Sequence, residues 1–311
     1  MSKPILLVTR PLPQAMLDAL GQFGEVQVID LNATAIPNGD IVVSTPLDPI
    51  RSETLARLPA SVGLIANIGI GLDHIDLRAA RERGIAVSNT PVVTEDTADL
   101  TLALLMATCR KLSASERYLR ADNWAAGMGQ LGIRVHSKTL GIIGLGAIGQ
   151  AVARRAKGFG MTVIYSNRSR NVAAEEALGG ARYCETLDEL LAEADIVSLN
   201  CDLNPQTHHI INADTLAKMK PGAVLINSGR GPLVDEAALI EALKHGHLGG
   251  AGLDVYEFEP NVSPELMTFD NVTLLPHIGS ATQECRADMA KRVCMNIGHF
   301  IQQGAPLDSC N

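Results

Sequence analysis

The sequence predicts an α/β protein with two parallel-sheet domains. Short apolar runs alternate with amphipathic helical stretches along nearly all of the 311 residues, and the alternation halts once, over 121–138, before it restarts. The length also suits two domains of roughly 100–200 residues each. Parallel neighbours cannot be joined by a tight turn, so strands that alternate with helices read as crossover units.

Taken in order, the first part offers strands over 5–9, 26–29, 41–44, 63–67 and 86–88, with helices over 13–23 and 75–83. Such a set suits a small doubly wound sheet. One long helix is expected over 95–119, with Glu95 and Asp96 at its start and Arg110 and Lys111 later, as the helix dipole favours. The polar, Gly-containing stretch 121–138 holds the only tryptophan, Trp124, and reads as a connecting arm. Strands follow over 139–143, 162–165, 196–200, 223–227, 250–253 and 272–275, enough for one complete dinucleotide-binding sheet. The last helix, over 281–302, has no strand after it, and its pattern alone leaves open which domain it closes.

Composition excludes several classes of partner. The 34 acidic and 26 basic side chains give a net charge of −8, which repels nucleic acid and anionic lipid. No apolar run approaches the roughly 20 residues that cross a bilayer, and the run Ile5 to Val8 is too short for a secretory core, so it reads as a buried strand. The six cysteines include no Cys-x-x-Cys pair, which suits a reduced, cytoplasmic protein better than a disulfide framework. The eight histidines lack metal-ligand spacing, so no metal is expected.

The strongest motif is Gly144-Leu145-Gly146-Ala147-Ile148-Gly149, between the strand 139–143 and a helix that begins at Gln150. Gly144 permits the tight turn, Gly146 lets backbone approach a pyrophosphate, and Gly149 lets helix and strand pack closely. An acid about 20 positions later normally binds the adenine ribose. The chain instead reads Tyr165-Ser166-Asn167-Arg168-Ser169-Arg170, which offers hydroxyls, an amide and two guanidinium groups to a 2′-phosphate. NADPH is therefore expected over NADH.

Three polar clusters follow later strands: Asn227-Ser228-Gly229-Arg230-Gly231, Asp254 to Pro260, and Pro276-His277-Ile278-Gly279-Ser280. Open α/β sheets bind ligands beyond the carboxyl ends of their strands. Hydride addition to a ketone needs a proton for the oxygen, a cation for a carboxylate or carbonyl oxygen, and a group that keeps the acid charged. His277, Arg230 and Glu259 fit these roles.

With these motifs in order, nearly the whole chain resembles the D-isomer-specific 2-hydroxyacid dehydrogenases. Within that family it looks most like the glyoxylate and hydroxypyruvate reductases, including the hydroxyphenylpyruvate reductase type, notably through 248–255 and Leu275-Pro276-His277. The resemblance implies a flavodoxin-like substrate domain, 1–94 with 281–311, and a Rossmann NAD(P)-binding domain, 95–280, inserted into it. It implies His277 as general acid toward a small 2-oxo acid, Glu259 as its charged partner, Arg230 as the clamp on the substrate and Asp254 as a supporting acid. A carboxylate beside an imidazole favours the charged ring.

Cofactor contacts would come from the fingerprint, Asn167, Arg168, Ser169, Thr97, Cys201, Ser228, Gly229, Asp254 and Gly279. Substrate contacts would come from Ile70, Gly71, Arg230 and His277, the first two in a loop, Asn67 to Asp73, whose amides hold the carboxylate. The resemblance also implies a homodimer with the 95–119 helix and the Trp124 arm in its interface. Glyoxylate and hydroxypyruvate are the first expected substrates. 2-Ketogluconate and hydroxyphenylpyruvate reductases are rivals, and phosphoglycerate oxidation, usually NAD-linked, fits less well. A dinucleotide-sensing corepressor, which binds transcription factors without turnover, is the rival of another class.

Overall fold

Residues 3–311 are described by a computed structural model, and they divide into two units, one running up to Val93 and resuming over Ser280–Asn311, the other Thr94–Gly279. The first holds β1 (Ile5–Val8), α1 (Gln14–Gly21), β2 (Glu25–Val28), β3 (Ile41–Ser44), α2 (Ser52–Arg57), β4 (Leu64–Asn67), α3 (Leu77–Glu82) and β5 (Ala86–Ser88). Its sheet is parallel, in the flavodoxin-like order β2-β1-β3-β4-β5. Leu6, Val8, Val43 and Ala66 pack on one face and Leu7, Val42 and Ile65 on the other, so the central strands are apolar at every position instead of alternating.

The second unit begins with α4 (Thr94–Cys109), α5 (Leu112–Arg120) and α6 (Trp124–Met128). Then come β6 (Thr139–Ile143), α7 (Ala147–Gly158), β7 (Thr162–Ser166), α8 (Val172–Ala177), β8 (Arg182–Tyr183), α9 (Leu187–Glu193) and β9 (Ile196–Leu199). It closes with α10 (Ala213–Lys218), β10 (Val224–Asn227), α11 (Glu236–Lys244), β11 (Gly250–Leu253) and β12 (Val272–Leu274). The sheet order is β12-β11-β10-β9-β6-β7-β8, the doubly wound dinucleotide-binding order with one further strand. The final helix, α12 (Gln283–Gln303), belongs to the first unit, where it packs on β4 and buries Cys285, Met289, Val293 and Ile297.

Three expectations are corrected. The helix expected over 95–119 is two helices, because the Cys109 carbonyl accepts the Ile133 N–H at 2.6 Å and Lys111 turns into the left-handed region at φ 49°. The sheet has a seventh strand, β8, whose two residues are too few and too polar to register as a strand in the sequence. The arm is partly helical: the Asn123 carboxamide caps α6 by accepting the Ala126 N–H at 3.1 Å. Among the described residues, no helix is long and apolar enough to cross a membrane and no cluster of His, Cys, Asp and Glu could hold a metal ion.

Candidate active site

In the Thr94–Gly279 unit the strand order reverses between β6 and β9, and a crevice opens at such a switch point. The glycine fingerprint stands there. Gly144 has φ 96°, and a Cβ on it would lie 2.5 Å from the Cys201 nitrogen, which places Cys201, just beyond β9, against the turn. A Cβ on Gly149 would lie 2.1 Å from the Gly144 carbonyl oxygen, so only glycine lets α7 pack this close. Gly146, by contrast, faces open space within 4 Å of its Cβ position, and as the N-cap of α7 it offers no side chain to the first helical amides. A close-packed turn, an open glycine and an uncapped helix N-terminus fit a dinucleotide's pyrophosphate.

The segment after β7 is more engaged than its sequence suggests. Asn167 Oδ1 accepts the Leu145 N–H at 2.7 Å, tying the segment to the fingerprint. Arg170 is not available to a phosphate in the way the sequence implied: it lies bidentate on Glu175, at 2.9 and 2.8 Å, and the Tyr165 hydroxyl adds a third bond at 2.6 Å. These bonds, from Arg170 first and then Tyr165, hold the Glu175 carboxyl down at about 2. Arg168 and Ser169 are exposed, and Arg168 has no ion-pair partner among the described residues. Burial pushes the Cys201 thiol up to about 11, so it stays protonated.

Beyond β10, β11 and β12 the polar clusters interlock. Asn227, buried at the end of β10, folds its loop by accepting the Gly229 N–H at 3.1 Å and donating to the Arg230 carbonyl at 2.9 Å. A Cβ on Gly231 would lie 1.7 Å from the Tyr256 carbonyl oxygen, so this glycine lets the Arg230 loop press against the Tyr256 to Pro260 loop.

Asp254, fully buried, accepts the Ile278 and Gly279 amides at 2.7 and 2.9 Å and takes the His277 N–H on its own carbonyl at 2.8 Å. These bonds hold His277 in the left-handed region at φ 55°. Burial raises the Asp254 carboxyl, and the amides and His277 only partly offset it. Thr97 lies beside the Gly279 Cβ position, and Thr101, bonded to the Thr97 carbonyl at 2.7 Å, meets the Ser228 hydroxyl at 2.7 Å. Thr97, Ser228, Asp254 and Gly279 therefore gather in one cluster.

The central pair is His277 Nδ1 with Glu259 Oε2 at 2.8 Å, the imidazole 41% and the carboxylate 25% exposed. Burial alone would raise the Glu259 carboxyl. The His277 hydrogen bond and charge, the Tyr256 N–H and the Arg230 charge outweigh it and leave the carboxyl lowered. Arg230 thus reaches the pair electrostatically, and its own Nη1 donates to the Gly229 carbonyl at 2.9 Å. Ile70 and Gly71 lie in the other unit, just after β4. Asn67 donates to the Gly69 and Gly71 carbonyls, each at 3.1 Å, and Asn89 to that of Ile70 at 2.9 Å. The sequence reading passed over Asn89 and Thr101, and it named Asn227 only as the start of a polar cluster after a strand, with no role of its own.

A histidine hydrogen-bonded to a carboxylate, beside an arginine and beyond a dinucleotide fingerprint's own sheet, marks the class of NAD(P)-dependent oxidoreductases. Residues 102–279 match the model of the D-isomer specific 2-hydroxyacid dehydrogenase NAD binding domain. A glyoxylate reductase of Thermococcus litoralis is 41% identical, with 99% of this chain and 97% of that protein covered. Glyoxylate/hydroxypyruvate reductase B of Escherichia fergusonii is 41% identical over 96% of this chain and 95% of its own. Among solved structures, an NADPH-dependent glyoxylate/hydroxypyruvate reductase of Sinorhizobium meliloti, in complex with NADP and malonate, superposes with a TM-score of 0.92 at 35% identity, covering 99% of this chain and 97% of that one. The chain belongs to the D-isomer specific 2-hydroxyacid dehydrogenase family.

Proposed function

We propose that the protein is an NADPH-preferring reductase of small 2-oxo acids, with glyoxylate and hydroxypyruvate its first substrates and D-2-hydroxy acids its products. The observation that carries this is the 2.8 Å bond between His277 Nδ1 and Glu259. It commits Nδ1, so Nε2 is the nitrogen that gives its proton to the carbonyl oxygen. The bound nicotinamide supplies the hydride. Arg230 binds the substrate's carboxylate and carbonyl oxygen, and the Ile70–Gly71 loop, whose carbonyls Asn67 and Asn89 occupy, offers its amides to a carboxylate. The Thr97, Ser228, Asp254 and Gly279 cluster serves the cofactor, with the fingerprint, Cys201 and Gly229.

The NADPH preference rests on the missing acid at the end of β7 and on the exposed Arg168. The names of the similar reductases support the substrates. Leu112, Leu119, Trp124, Met128 and Leu131 expose apolar surface along α5, α6 and the arm, which supports a homodimer. Among the described residues no disulfide joins any of the six cysteines, which suits a cytoplasmic protein. Initial rates with glyoxylate, hydroxypyruvate, 2-ketogluconate and hydroxyphenylpyruvate, each with NADPH and NADH, test the whole reading. Equal rates with both cofactors would remove the preference, and no turnover with any pair would remove the activity.

A further inference from the structure

The loop that carries Glu259 is held at both feet by one buried carboxylate that the chemistry above does not use. Glu236 opens α11 and is 5% exposed. Its Oε2 accepts the Glu257 N–H at 3.3 Å, and its Oε1 accepts the Ser263 hydroxyl at 2.5 Å and the Ser263 N–H at 3.3 Å. Glu257 returns the contact, accepting the Glu236 N–H at 3.0 Å on one oxygen and meeting His209 Nε2 at 2.7 Å with the other. Between these feet the chain turns back, with the Asn261 N–H on the Phe258 carbonyl at 2.8 Å. Glu259 sits inside that turn, one oxygen on the Tyr256 N–H at 3.0 Å and the other on His277.

We infer that Glu236 is a positioning residue for the proton-donating pair: it fixes both feet of the loop and so sets the Glu259 carboxylate against the imidazole. The inference rests on the reading of His277 and Glu259 given above. The start of α11 does not need this side chain, because Asp235 already caps the helix by accepting the Ala238 N–H at 3.0 Å. The groups that meet the Glu236 carboxylate are all donors, and a carboxylate accepts on both oxygens. A glutamine there turns an NH₂ toward a backbone N–H in a buried site, that of Glu257 or that of Ser263, which releases one foot of the loop.

A double-mutant cycle of Glu236→Gln and Glu259→Gln in the full-length enzyme, assayed with glyoxylate and the better dinucleotide, tests it. Glu236→Gln is expected to lower kcat about tenfold and leave the dinucleotide KM within about twofold, yet cost less than about twofold more when Glu259 is already glutamine. Losses that multiply independently, or a dinucleotide KM that rises in step with the fall in kcat, overturn the inference. An unchanged kcat in Glu259→Gln alone overturns the reading of the pair itself, and the inference with it. If Glu236→Gln does not fold, Ser263→Ala enters the same cycle. It removes one hydroxyl, with an expected loss of about threefold that vanishes beside Glu259→Gln, and a loss that persists there overturns the inference.

Discussion

His277 carries two constraints at once, a left-handed backbone and an imidazole committed at Nδ1. Replacing it with alanine is expected to lower kcat by about 100-fold or more, the usual scale for a lost general acid, while dinucleotide binding measured by fluorescence titration stays unchanged. Turnover at the parent rate would refute the acid role. Arg168→Ala is expected to raise KM for NADPH and leave KM for NADH in place, and an equal rise for both would sink the 2′-phosphate contact. Gly231→Ala puts a methyl group 1.7 Å from the Tyr256 carbonyl oxygen, so the two site loops must separate. It is expected to cost about 1–3 kcal/mol of stability in denaturant titration and most of the turnover. His277, Glu259 and Arg230 were legible because each belongs to a motif after a strand. Asn227 and Glu236 were not legible as supports, since their partners lie in loops that only folding brings within hydrogen-bond reach.

At the scale of elements, apolar runs made the central strands readable, and burial on both faces is the reason those runs are continuous. β8 is invisible by the same logic, being short, polar and at a sheet edge. The break between α4 and α5 has no glycine or proline to mark it, because a distant partner, the Ile133 N–H, causes it. Lys111 therefore bears a Cβ in a conformation that disfavours one. Lys111→Gly is expected to stabilise the protein by about 0.5–1 kcal/mol, the relief outweighing the freedom glycine gains in the unfolded chain, and a lower unfolding midpoint in denaturant would contradict that account. The segment after β7 shows the opposite failing of sequence reading. Arg170 looked like a phosphate ligand until the fold placed Glu175 and Tyr165 beside it.

For the molecule as a whole, several carboxyls are held below the usual range. Glu175 is lowered by Arg170 and Tyr165 and Asp308 by Arg292, while Asp48 and Glu259, which burial would raise, are brought down by Arg10 and by His277. A depressed carboxyl contributes stability that is complete above its unfolded value and is lost as pH falls through the folded one. Asp254, raised by burial, acts in the opposite sense but stands alone among these groups. The melting temperature is accordingly expected to hold above about pH 5 and to fall steadily toward about pH 2; a flat acid limb in thermal scans would show that these pairs carry no net stability. Fold class and every strand but β8 were readable from alternation alone, but no local pattern could assign α12 to a unit, because what decides it is a face of β4 more than 200 residues earlier. That placement has a temporal side. The ribosome delivers the whole dinucleotide-binding sheet before α12 exists, so the half that begins synthesis first must wait, its sheet partly uncovered, while the half made second already has every piece it needs. A chain truncated after Gly279 is expected to show protease-resistant β6 to β12 and a still cleavable β1 to β5.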